Sequence, residues 1–330
     1  MSKASYISSS KEFLRAIAVG LQWCLFSMIF CALIWFVKQG VEWRFGPIQS
    51  GVSGFLNQEK VDVLILGSSH TRQGIDVRIL EKGLKQNCFA VAYNGMDPKS
   101  HGMVLDELYR MTKSKPSRVL VEAYVYAAGR DPQVYDARMF MQSPLSTKYR
   151  ILDEIIYWQK NPWDPKRLFE LTVSGGIATI FTFPVSRFMA DRMSYKGSYT
   201  RKYLPGMMDE NFSKVADDAY TAGVDDITLK ASQSEALNSL FLFAKKNGLI
   251  LQFFETPMPK DVLNIPQIAR AVQELKAFIE EAGFTYVNFA LDGSFDHSDP
   301  THFTDWNHLS TKGRDLHSKM LAEWLKNPGT

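Results

Sequence analysis

Cysteine is scarce in this 330-residue chain, which holds only Cys24, Cys31 and Cys88. The first two fall inside a long apolar run. That leaves Cys88 alone in the remainder, so no disulfide can form there. Cys88 opens an apolar strand pattern and reads as inert core rather than as a reactive thiol. Net charge is also small, +3 with 22% charged residues, which gives no electrostatic footprint for a nucleic-acid partner. There is no internal repeat and no low-complexity tract, and nothing in the chain asks for a cofactor. What is present is the composition of a folded protein, 45% hydrophobic, with length for one large domain or two small ones and an ample core.

One segment is not globular in pattern. Residues 16–37, AIAVGLQWCLFSMIFCALIWFV, are almost wholly apolar. At about 1.5 Å per residue they span roughly 33 Å, the thickness of a bilayer core. A cleaved signal peptide would need a shorter run followed by a small-x-small site, and neither is there. A buried soluble helix would need a polar face. The expectation is a single transmembrane signal-anchor helix. Lys3, Lys11 and Arg15 precede it, and Lys38 and Arg44 follow. This slight excess puts residues 1–15 on the cytoplasmic side and everything after the span outside the cytoplasmic membrane.

Residues 38–60 carry the breakers Gly46-Pro47 and Gly51 and read as a linker. From 61 onward strands and helices alternate. Apolar strand patterns cover 61–66, 89–93, 118–124, 249–255 and 284–289. Helical patterns cover about 76–85, 99–113, 233–247, 265–282 and 311–326, with Asp76 and Ser310 or Thr311 as caps and Gly248 as a stop. Alternation with near-continuous apolar strands indicates an α/β fold, a parallel sheet flanked by helices. Between about 127 and 232 the rhythm breaks into irregular helical stretches rich in Trp, Tyr, Met, Arg and Pro. This is a helical insertion in the α/β domain of residues 61–330. Its apolar piece 171–183 is too short to span a bilayer and reads as a buried helix, or else as a lid or membrane-facing surface.

Two short motifs about 230 residues apart carry chemistry. Gly67-Ser68-Ser69-His70-Thr71 directly follows the first strand pattern and puts a hydroxyl on a strand-to-loop turn. Asp305-Trp306-Asn307-His308 precedes the last helix. A serine hydroxyl is a poor nucleophile until a base takes its proton. Residues three apart on a helical turn share a face, so Asp305 can orient His308 and leave the other ring nitrogen for Ser69. Ser68 is the nearest rival, but alternate residues of extended chain point opposite ways. His70 is too close in sequence to reach the Ser69 hydroxyl. His297, Asp299, His302, Asp305 and His308 are dense enough to raise a metal site. That reading leaves Ser69 unexplained, so no metal is expected. Arg72 is a candidate for an anionic substrate group, or a plain surface charge.

These blocks resemble the SGNH (GDSL) hydrolase superfamily, whose Gly-Asp-Ser stands here as Gly67-Ser68-Ser69 and whose Asp-x-x-His stands as Asp305-Trp306-Asn307-His308. The Gly-Ser-Ser variant, the anchor and the C-terminal Asp-x-x-His-Leu-Ser are similar to the membrane-anchored subgroup of DltD-like proteins and partners of O-acyltransferases. The resemblance implies a flavodoxin-like SGNH sheet, with Ser69, His308 and Asp305 as catalytic triad and the Ser69 amide and the Asn94–Gly95 turn as oxyanion hole. The family's third block, Gly-x-Asn-Asp, has no counterpart. The function implied is an envelope serine acyltransferase that passes acetyl or D-alanyl to a glycan or polymer hydroxyl beside a multi-pass O-acyltransferase. An esterase or deacetylase with the same triad, and a non-catalytic scaffold or glycan-binding subunit, are the alternatives.

Overall fold

The computed structural model describes residues 13–15, 17–30, 32–33, 50–113, 115–129, 139, 195–198, 204–221 and 227–327. Two compact units divide near residue 47. In the first, helix α1 (Phe13–Phe30) has a mean hydropathy of 1.7, and no part of it is buried. It is long and apolar enough to cross a membrane.

The second unit starts earlier than its first strand. Helix α2 (Gly51–Leu56) buries Val52 and Phe55, and Phe55 meets Phe89 edge to face at 5.7 Å. The Val52 amide donates to the Tyr93 hydroxyl at 3.0 Å. Residues 51–56 are therefore part of the core rather than linker. Gly51, read from sequence as a breaker, has a left-handed φ of 65° and starts a helix.

Five strands form one sheet: β1 (Val63–Gly67), β2 (Cys88–Ala92), β3 (Arg118–Glu122), β4 (Ile250–Phe254) and β5 (Thr285–Val287). Their order is β2-β1-β3-β4-β5, and every pairing is parallel. This is the doubly wound, flavodoxin-like arrangement, in which sites lie at the carboxyl ends of strands where the order reverses, here between β1 and β3. All five residues of β1 and of β2 are buried, as a sheet covered on both faces requires. Cys88 is buried with them, and its thiol is pushed up to about 12, by burial first and by the nearby Glu81 charge second. It is an inert core group.

The helices begin where capping residues permit, the short α3 (Ser69–Gly74) at Ser68 among them. Asp76 caps α4 (Val77–Leu84) by accepting from the Arg78 amide. Asp97 caps α5 (Pro98–Met111), with proline in the first turn. A left-handed Gly248, φ 60°, ends the helix Ala231–Asn247. Ser310 caps the last helix, α6 (Thr311–Lys326), through the Gly313 amide.

Of the region read as an insertion, 130–138, 140–194, 199–203 and 222–226, including the apolar piece 171–183, lie outside the described residues. Two described pieces show how it is held. In one, the turn Tyr195–Ser198 lies on the outer edge of β2, where the Ala90 amide donates to the Lys196 carbonyl at 2.9 Å, and Lys196 and Tyr195 both reach Glu81. In the other, the Leu204 amide donates to Thr311 Oγ1 at 2.7 Å, and the Met207 amide to the Phe303 carbonyl at 2.7 Å. Gly197 has φ 84°, and a Cβ there would sit 1.7 Å from the Ala90 carbonyl oxygen. Gly197→Ala should therefore cost about 1–2 kcal/mol from backbone handedness alone. It should also release the turn, seen as faster hydrogen exchange at the Ala90 amide; unchanged exchange would contradict this packing.

Candidate active site

The chain leaves β1 at Gly67 and enters a helix within two residues. Ser68 is the N-cap of the short helix Ser69–Gly74, and its side chain accepts from the His70 amide. The turn after β1 is thus strand-to-helix, tighter than the strand-to-loop turn read from sequence. Gly67 is required there, since a Cβ would lie 1.8 Å from Thr71 Oγ1 and 2.9 Å from Glu122 Oε2. Ser68 is buried and occupied with capping. Ser69, one residue on, is partly exposed. Its amide is among the first of the helix, which have no intrahelical acceptor.

The Asp305–His308 segment is not a helical turn. It is a loop closed by the antiparallel bridge Phe303–Leu309 and by the Thr304 amide donating to the His308 carbonyl at 2.9 Å. Inside it, Asp305 Oδ1 accepts the Asn307 and His308 amides, each at 2.9 Å. This folds the carboxylate back onto the His308 ring, whose Nδ1 lies 3.0 Å from Oδ1 and 2.9 Å from Oδ2. His308 Nε2 lies 2.9 Å from Ser69 Oγ. A carboxylate only accepts, so Nδ1 carries the proton, and in the neutral ring Nε2 is left to accept from the serine hydroxyl. Burial works against the Asp305 carboxylate. The hydrogen bond and charge of His308, with the two loop amides, outweigh it and hold the carboxyl below its ordinary range.

Ser69 opens on a cavity of about 270 Å³, lined by Ser68, Ser69 and His70 after β1, Asn94, Gly95 and Asp97 after β2, Tyr124, Tyr126 and Ala127 after β3, and Asn307. Asn94 and Gly95, named from sequence as oxyanion candidates, share this cavity with Ser69. Arg72 does not appear among its described lining residues. Trp306 packs against Tyr126 at 5.7 Å between ring centroids.

Sequence reasoning missed several of these groups. His70 is buried, its ring 3.8 Å from that of Tyr124 and 4.9 Å from that of His308. Burial, then the His308 charge, holds it well below the usual histidine range, so it is a neutral wall of the site. Two buried acids end neighbouring strands. Burial pushes the Glu122 carboxyl up, against hydrogen bonds from Ser68 and Thr256. Burial likewise pushes Glu255 up to about 7, opposed by Tyr286, Val125 and Asn288 and reinforced by the Glu122 charge. The available signal was an acid near the end of each of two largely apolar strand patterns.

The acidic and histidine-rich stretch near 297–302 is accounted for by packing. His302 Nδ1 lies 2.8 Å from the Asp296 carbonyl, so it donates there. Asp299 Oδ2 pairs with Lys312 at 2.7 Å. Among the described residues no three His, Cys, Asp or Glu side chains converge as a metal would need.

No family model matches the chain, and no curated protein matches its sequence. Among solved structures it is similar to a candidate platelet activating factor from Streptococcus pneumonia (10% identity over 89% of this chain and 99% of that one, TM-score 0.40). It is also similar to a candidate acylhydrolase from Bacteroides fragilis (12% identity, 88% and 96%, TM-score 0.38) and to an acetyl-xylooligosaccharide esterase variant from Geobacillus (14% identity, 83% and 95%, TM-score 0.39).

Two outcomes follow from this geometry. Gly67→Ala should displace the turn and slow any reaction of Ser69 by about 100-fold, as a misplacement of roughly 1 Å does; wild-type labelling of Ser69 by a serine-reactive probe would contradict it. Glu255 has a folded value above its unfolded one. It therefore penalises the folded state only as pH rises from the ordinary carboxylate range through about 7. Glu255→Gln should raise stability in urea titrations at pH 8 and leave it unchanged at pH 4; the same change at both values would contradict the burial argument.

Proposed function

We propose that this protein is a membrane-anchored serine acyltransferase of the cell envelope that works through an acyl-Ser69 intermediate. The observation that carries the reading is the unbroken hydrogen-bonded series from Asp305 through His308 to Ser69, facing a cavity at the switch point of the sheet. The resemblance of the Gly67-Ser68-Ser69 and Asp305-x-x-His308 blocks to the SGNH superfamily agrees with it.

In the first half-reaction Ser69 Oγ attacks the carbonyl carbon of an acyl donor and its proton passes to His308 Nε2. The bond to the donor's leaving oxygen then breaks, and that oxygen takes the proton from His308. In the second half, His308 removes the proton of an acceptor hydroxyl. That oxygen attacks the Ser69 ester, and Ser69 leaves with the proton. Asp305 holds the tautomer and offsets the imidazolium charge in both halves. The Ser69 amide, with the Asn94–Gly95 turn across the cavity, is the candidate stabiliser of the oxyanion. A space of about 270 Å³ suits a short acyl group, acetyl or D-alanyl, with one end of a glycan or polyol acceptor. The apolar helix α1 fits an enzyme held at the membrane with its α/β unit on the extracytoplasmic face, served by a multi-pass O-acyltransferase as donor partner.

Hydrolysis is the second reading, and one observation favours it. The Asp305 side chain is 48% exposed and that of His308 18%, so water reaches the base. The acyl-enzyme is common to both, and only the acceptor differs.

The full chain in detergent should react with a fluorophosphonate and release nitrophenol from p-nitrophenyl acetate. Ser69→Ala, His308→Ala and Asp305→Ala should each lose at least about 1,000-fold. Activity unaffected by Ser69→Ala or His308→Ala, or a folded wild-type chain inert to both reagents even in membranes, would reject catalysis and favour a scaffold. Acetyl ester on an added polyol rather than free acetate would select transfer over hydrolysis.

A further inference from the structure

Of the buried acids that the reaction above leaves without a role, Glu122 is the one that touches the turn leading to Ser69. Glu122, the last residue of β3, is 1% exposed. Among the described residues its only partner at ion-pair range is His70 Nδ1, at 3.8 Å. That is too long for a hydrogen bond, so Glu122 does not orient His70 as Asp305 orients His308. A buried acid with no cation is costly to keep, and its contacts show what it is tied to. Oε2 accepts the Ser68 amide at 2.6 Å. Oε1 accepts the Thr256 hydroxyl at 3.0 Å.

Ser68 is thereby held at every polar group it has. Its amide is held by Glu122, its hydroxyl accepts from the His70 amide at 3.2 Å, and its carbonyl accepts from the Arg72 amide at 3.1 Å. The peptide before Ser68 is thus fixed at its amide, and the peptide that joins it to Ser69 at its carbonyl. Thr256, the other partner of Glu122, also touches the far end of the nucleophile's helix, since a Cβ on Gly74 would lie 2.9 Å from Thr256 Cγ2. The acid at the end of β3 thus braces the helix that starts at Ser69 near both of its ends.

We propose that Glu122 is a positioning residue, which accepts the Ser68 amide and so holds the Ser69 hydroxyl on His308 Nε2. The proposal rests on Ser69 being the nucleophile. Glu122 touches no reacting atom and works only through the turn. Its acceptor oxygen matters and its charge does not, so an amide oxygen in the same place serves equally.

The test uses the full chain in detergent with Glu122→Gln, Glu122→Ala and Thr256→Val. The readouts are fluorophosphonate labelling of Ser69, kcat and KM for p-nitrophenyl acetate, and the Ser69 Oγ to His308 Nε2 distance in crystals. Glu122→Gln is expected to keep labelling and distance close to wild type. Glu122→Ala is expected to lose about 100-fold in kcat and labelling at nearly unchanged KM, with the distance opening beyond about 3.5 Å. Should Glu122→Ala not fold, Thr256→Val carries the test, with a loss of about tenfold and a lengthened distance. A folded Glu122→Ala, or failing that Thr256→Val, with wild-type distance and labelling overturns the proposal. So does a Glu122→Gln that loses as much as Glu122→Ala. If wild type labels no better than Ser69→Ala, the acyl-serine reading fails instead, and the crystallographic distance still decides the role of Glu122.

Discussion

The hydrogen bond between Ser69 and His308 joins residues 239 apart in sequence, and a displacement of one ångström at either end would break it. The last helix, α6, fixes one end. Arg314, His317 and Ser318 share one face of it, as spacings of three and four require. All three meet the short link between the helix bearing Ser69 and α4. His317 Nδ1 lies 2.9 Å from the Gly74 carbonyl, which can only accept. The Asp76 amide donates to Ser318 Oγ at 2.8 Å. Arg314 and Asp76, both almost fully buried, stand 3.7 Å apart. Gly313 comes so close to His302 that a Cβ would sit 2.1 Å from its carbonyl oxygen. The loop bearing Asp305 and His308 therefore hangs from a helix that is itself fastened to the helix bearing Ser69.

The apolar sheet cannot provide this by itself. Dispersion and the hydrophobic effect hold the strands in layers, but they are non-directional and leave the peptides beyond the strand ends free to rotate. Directional groups take over at the carboxyl edge. Glu122 holds the turn after β1. Glu255, with Tyr286 and Asn288 as donors, sits against the Val125 amide at the start of the segment that walls the cavity. Each acid costs stability by being buried, and each sits where an exact backbone position matters more than stability.

What the sequence made legible follows the same division. The five strands and the caps at Asp76 and Ser310 are local patterns, and the structure differs from the strand bounds by at most two residues. The strand order, and with it the switch point, was implied by the resemblance to a flavodoxin-like sheet and not by the strand patterns themselves. Ser69, His308 and Asp305 could be named because a strand-end serine and a compact Asp-x-x-His are each read locally. Groups whose meaning lies in distant contacts were not legible. A glutamate closing a strand looks like a solvated rim residue until the neighbouring strand's segment, Thr256, is known to cover it. His70 was set aside for its closeness to Ser69, although its ring reaches back across Tyr124. Helix α2 was hidden by Gly46, Pro47 and Gly51, which punctuate a linker as readily as a helix start. Arg72 was placed by its closeness to Ser69 in sequence, but it is not among the described residues that line the cavity.

On the proposed acyl-Ser69 reading, the choice between water and a hydroxyl acceptor would depend on the rim of the cavity rather than on Asp305, His308 and Ser69. Tyr124 and Tyr126, with Trp306 packed against Tyr126, wall the side next to β3, and Gly95 and Asn94 close the side next to β2. The Asp305 side chain is 48% exposed. If Ser69 carries the proposed acyl ester, water that reaches it hydrolyses it, because water at bulk concentration needs no binding site. Transfer wins only if the acceptor brings its own surface to cover His308 and Asp305 as it binds, or if another chain covers them first. Covering the rim also strengthens the Asp305–His308 interaction by removing solvent screening. On that reading, selection of the acceptor and activation of the base would be the same event, with the half-exposed Asp305 carboxylate coupling them.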